Sequence, residues 1–181
     1  MKNLRSNNGI VKDGILSRSK SRPFHQLEEL GLDTDLFETV SVAQSLLQAF
    51  FQNSELDLSD VLAPAFGTNV DETALAGLVS QVSAGDFSSL PTFEVRTSEE
   101  LQDANGVYVE ALDTIYVSEE FLQTASQSEL VALLLEEMGH AIDATINETD
   151  SAGDEGNIFA NLVLGVEMTE AELAALYAED D

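Results

Sequence analysis

Between Leu135 and Asp143 the chain reads Leu-Glu-Glu-Met-Gly-His-Ala-Ile-Asp. Three carboxylates and an imidazole thus sit in a segment that is otherwise apolar. Leu130, Val131, Leu133, Leu134, Leu135, Met138, Ala141 and Ile142 surround them, and residues so apolar nearly all round make a buried helix over about 128–146. Burying a charge unpaired costs on the order of several kcal/mol. Each of Glu136, Glu137, His140 and Asp143 therefore needs a metal, a hydrogen-bond partner or an opening to water. Cationic side chains are scarce, because beyond residue 22 the only Lys or Arg is Arg96. A bound metal cation is the economical partner for these acids. A buried Glu136–His140 ion pair with a protonated imidazole is the alternative that needs none.

Spacing narrows the chemistry. Glu136 and His140 stand at i and i+4, one above the other on one helix face, where they can grip a single ion. Glu137 is turned away by about 100°, a place from which a carboxylate can hold a water against that ion. Gly139 removes a side chain beside the pair and allows a neighbouring backbone to come close, although glycine inside a helix costs about 1 kcal/mol.

The motif resembles a known one. Glu136-Glu137-Met138-Gly139-His140 is similar to the zinc-metalloprotease pattern His-Glu-x-x-His, with Glu136 in the place of the first histidine. Gly106-Val107-Tyr108 and Thr114-Ile115-Tyr116-Val117-Ser118 resemble the edge-strand hairpin that leads into the active-site helix of zincins. Gly153-Asp154-Glu155-Gly156 is similar to the opening of the glutamate-bearing second helix of gluzincins. The whole run from Leu134 to Asp143, followed by Gly153 to Phe159, also resembles N-terminal domains of bacterial, often cyanobacterial, secreted proteins that carry RTX-type calcium repeats. This likeness covers about residues 86–178, and the 181 residues contain no glycine-aspartate nonapeptide repeat.

Carried over residue by residue, the resemblance implies that Glu136, His140 and Glu155 are metal ligands and that Glu137 is the general base on a metal-bound water. Asp143 would orient a ligand or substitute for one, and Asp154 would stand in reserve. Two carboxylates and one imidazole suit Zn²⁺ but also admit Mn²⁺, Fe²⁺ or even Ca²⁺. The implied activity is metal-dependent hydrolysis of a peptide or protein substrate. The alternative is a non-catalytic zincin-like, or calcium-dependent, structural or adhesion module. The secreted relatives imply an extracellular protein exported without a leader.

The elements that must position this site follow from periodicity. Apolar residues at a 3–4 spacing give an amphipathic helix over 36–51, a short helix or turn over 54–65 before Pro64, and a helix over 71–82 with Gly85 at its C-terminal end. Phe93–Thr97, Val107–Val109 and Thr114–Val117 read as strands, the last two joined by a short connection containing Asp113. Ser98 and Ser118 each stand where an N-cap precedes a short helix. Beyond the central helix come a polar loop over 147–153, a helix over 155–166 and a capping-box helix over 171–178. The expected fold is α+β and mostly helical, with a small strand layer and a zincin-like helix pair. It divides into a helical half over about 23–85 and a zincin-like half over about 86–178.

Charge excludes several functions. The chain holds 34 acids and 7 bases, a formal net charge of -27. Six of the bases and one acid, Asp13, lie in residues 1–22, a basic arm at +5, leaving -32 for 23–181. Such a body repels nucleic-acid phosphates and anionic lipid, and its compact state should depend on salt or bound cations. The absence of cysteine removes disulfides and thiolate chemistry, and no apolar run approaches the roughly 20 residues of a membrane span. A ferritin-like di-iron site needs a second Glu-x-x-His motif, which is missing. Asp150, Asp154 and Asn157 miss the EF-hand spacing.

Overall fold

The structure, a computed structural model, describes residues 32–149 and 151–179. The basic arm, His25 and Asp150 lie outside the described residues. The protein is a mostly helical α+β fold. Among the described residues no helix is long and apolar enough to cross a membrane.

Helix α1 (Leu32–Gln52) buries Leu36, Ala43, Leu47, Phe50 and Phe51 along one stripe. Phe37, one residue off that stripe, is 72% exposed. Helix α2 (Leu58–Phe66) starts at Asp57, whose carboxylate caps Ser59 N and Asp60 N. It continues two residues past Pro64, because burial of Ala65 and Phe66 holds the last turn in place. Helix α3 (Glu72–Ser83) is capped by Asp71 and buries Leu75, Leu78 and Val82. Gly85 follows it at φ +78°, the left-handed conformation that ends helices.

Three strands form one sheet in the order β1-β3-β2. Strand β1 (Thr92–Arg96) runs parallel to the central β3 (Thr114–Ser118), with Val95 beside Val117. Strand β2 (Gly106–Val109) is antiparallel to β3, with Tyr108 beside Ile115. The two form the expected hairpin, closed by Asp113 at φ 47°. The helix expected after Ser98 is instead a succession of turns. Gln102 and Asp103 take left-handed φ values of 54° and 66°, which no helix allows, and this folds Leu101 and Ala104 onto Tyr116 on the sheet's outer face.

Ser118 does cap a short helix, α4 (Glu119–Thr124). Ser126 and Glu129 form a full capping box for α5 (Gln127–Ile146), the buried central helix. It packs against α1, β2 and above all α6 (Glu155–Leu164), which ends at the left-handed Gly165. Helix α7 (Glu170–Leu176), begun by a Thr169–Glu172 capping box, lies on the surface. One apolar cluster runs through all the layers, with Leu47, Ile115, Leu135, Met138, Ile158 and Phe159 fully enclosed.

Candidate metal centre

Glu136 and His140 project from one face of α5 toward the start of α6. There Asp154, the N-cap residue, accepts from Asn157 N at 2.9 Å, and Glu155 opens the first turn. The two helices can meet this closely because each puts a glycine at the crossing. A Cβ on Gly139 would lie 2.8 Å from Gly156 Cα, and one on Gly156 would lie 2.6 Å from both Glu136 O and His140 Nε2. Side chains there would push the helices apart and open the site.

One donor atom from each of Glu136, His140 and Asp154 lies within 4.8 Å of the others, close enough for a single ion. These residues are only 4%, 2% and 3% exposed. Glu155, fully enclosed, stands apart from that trio, with Oε1 2.8 Å from His140 Nδ1. A carboxylate on a histidine's Nδ1 is the arrangement that orients metal-bound imidazoles. Asp154 therefore takes the place in the trio that the resemblance gives to Glu155, and Glu155 holds the imidazole. The reason is positional: the N-cap side chain folds back over the helix start, whereas the next residue is rotated toward the ring.

Asp143 is in neither group. It accepts from Asn147 Nδ2 at 2.8 Å and from Ser151 Oγ at 2.6 Å, which ties the α5–α6 loop to the end of α5. Glu136 Oε2 accepts from Asn157 Nδ2 at 3.2 Å. Asn157, weighed in the sequence only for a calcium loop, is the polar neighbour that sequence reasoning missed. Its signal was the one-turn distance from Gly153-Asp154.

Glu137, the next residue of α5, reaches the edge strand β2. Its Oε2 accepts from the Tyr108 backbone N–H at 2.7 Å, on the edge of β2 that faces away from β3. Its Oε1 is buried and makes no hydrogen bond. Gly106 leaves room for it, since a Cβ there would stand 3.0 Å from Oε1. Burial, with smaller contributions from Glu136 and Asp154, pushes this carboxyl up to about 7, against the pull of His140 and the Tyr108 N–H. Burial likewise raises the Asp154 carboxyl above its usual range.

Glu137 makes the metal-free protein pH-sensitive. The unfolded chain releases this proton near 4.5 and the fold near 7. Between those values the native state binds more protons than the unfolded state, so stability falls as pH rises. Chemical denaturation after chelation should lose about 3 kcal/mol from this group between pH 4.5 and pH 7.5. Glu137→Gln should flatten that part of the profile, and an unchanged slope in the variant would refute the assignment.

Buried carboxylates therefore outnumber their cationic partners. Glu136, Glu137, Asp143, Asp154 and Glu155 are all buried within α5, α6 and the link between them. Arg96, the one Lys or Arg among the described residues, is held by Glu94 at 2.7 Å and lies over the Tyr116 ring at 4.9 Å. The chain matches no protein-family model, no curated protein and no solved structure.

Proposed function

We propose that this chain is a zincin-like metal-binding domain in which Glu136, His140 and Asp154 hold one divalent cation between α5 and α6. The observation that carries the reading is the convergence of these three donors within 4.8 Å in a buried place. The donor set fits Zn²⁺, Mn²⁺ or Fe²⁺. Ca²⁺ prefers six to eight oxygens, more than two carboxylates and an imidazole supply. Glu155 would fix the imidazole's orientation through Nδ1, and Asn157 would steady the Glu136 carboxylate.

Burial decides what the ion does first. With the trio almost wholly enclosed, its effect is to neutralise acids and join the two helices, so binding becomes folding energy. At a free ion concentration a thousand times Kd the gain is about 4 kcal/mol, or about 10 °C in Tm for a chain of this size. Chelation followed by a thermal scan reads this directly.

Peptide-bond hydrolysis is the second reading, and Glu137 favours it. A carboxyl that titrates near neutrality is a competent proton acceptor, and one of its oxygens has no hydrogen bond to give up. A bound metal would supply Lewis acidity, and Glu137 would take the proton from the attacking water. In this reading Glu137→Gln abolishes cleavage of an unfolded protein substrate while metal content stays the same. A wild-type protein that is loaded with metal and cleaves nothing would leave the structural role alone.

A further inference from the structure

An ion can reach this enclosed trio only where a neighbouring side chain moves, and Asn157 is placed to do so. It is half-buried, and its Nδ2 donates to Glu136 at 3.2 Å while its Oδ1 accepts from Asn161 Nδ2 at 2.8 Å. The same two asparagines line a cleft of about 320 Å³ between α6 and α7, together with Glu167, Met168, Glu172 and Ala175. One amide thus links a solvent-reaching cleft to a ligand carboxylate. The cover is light, since α7 buries none of its residues. It is tied down by the Asp154 N–H to Leu176 O bond at 3.0 Å and by the Tyr177 hydroxyl on Pro64 O at 2.7 Å. The acids at the cleft mouth attract cations. A larger cavity of about 790 Å³, between segments 63–71 and 146–152, is lined by none of the trio and not by Asn157.

We propose that the α6–α7 cleft is the port through which the cation enters and leaves the centre, with Asn157 as its gate. The inference rests on the metal reading above. It separates two quantities, because blocking a port changes loading and release rates together and leaves the affinity alone.

The test follows Zn²⁺ uptake, and its release to a chromogenic chelator, by stopped flow in the full-length chain. Ala175 is exposed, so Ala175→Phe fills the cleft without touching the core. It should slow both rates by about tenfold or more, a modest added barrier, with Kd unchanged. Met168→Ala widens the cleft and should speed both. Thr68→Phe, which fills the larger cavity, should behave as wild type. Equal rates in wild type and Ala175→Phe, or slowing by Thr68→Phe, would overturn the port while leaving the metal centre standing. A wild-type protein that retains no Zn²⁺ would overturn the metal reading and the port with it.

Discussion

Gly156→Ala is expected to destabilise this protein strongly. The new Cβ would sit 2.6 Å from the Glu136 carbonyl oxygen and 2.6 Å from the His140 ring. Neither can retreat: the carbonyl belongs to the central helix, and the ring is held by Glu155 at 2.8 Å. The helices must separate, and overpacking of this kind costs about 3 kcal/mol, at the upper end of its usual range. Gly77→Ala is the control. Gly77 is exposed within α3, with nothing within 4 Å of the added atom, so alanine should stabilise by about 1 kcal/mol through helix propensity. Urea denaturation of the two variants should move in opposite directions. Equal midpoints would mean that the α5–α6 crossing is looser than described.

The second large effect concerns which acid of the Asp154–Glu155 pair meets the ion. Asp154→Asn keeps a good N-cap for α6 but removes a charged donor from the trio, and it should weaken metal binding by about a thousandfold, roughly 4 kcal/mol. Glu155→Gln leaves the trio complete and disturbs only the imidazole's orientation. Its cost should be about 10- to 100-fold, the usual effect of losing a partner behind a ligand. Competition with a chelator of known affinity measures both. The reverse ranking would restore Glu155 as ligand and make Asp154 a simple helix cap.

Much of the fold was legible because the chain is locally consistent. Ser118, Ser126 and Thr169 cap the helices they precede, and the apolar spacing around Leu47, Leu78 and Ile158 gives the correct buried faces. The failures have local causes. Ser98 looks like a cap, but two left-handed residues after Leu101 turn the chain back before a helix can form. Phe37 is apolar yet lies off the stripe that α1 buries.

At the site, helical spacing sufficed for Glu136 and His140, which are one turn apart on one element. It could not resolve Asp154 from Glu155, because adjacent residues at a helix start differ only in which way the backbone turns them. It also could not show that Glu137 faces β2, since the Tyr108 N–H that donates to it is 29 residues away in sequence. Gly139 was readable as a close-approach position, whereas its counterpart Gly156 becomes intelligible only once α6 is laid against α5. The burial of Glu136, Glu137 and Asp143 was visible from their apolar neighbours along the helix, and the near absence of Lys and Arg left a cation as their natural partner.

The most direct test of that partnership is the metal content of the purified protein after gel filtration in metal-depleted buffer with enough NaCl to screen the acidic surface. The wild type should hold about one transition-metal ion per chain, and a Glu136→Ala/His140→Ala double variant that keeps its helical circular dichroism should hold none. A folded wild type with no bound ion, even after incubation with Zn²⁺, Mn²⁺ and Fe²⁺ in turn, would contradict that partnership.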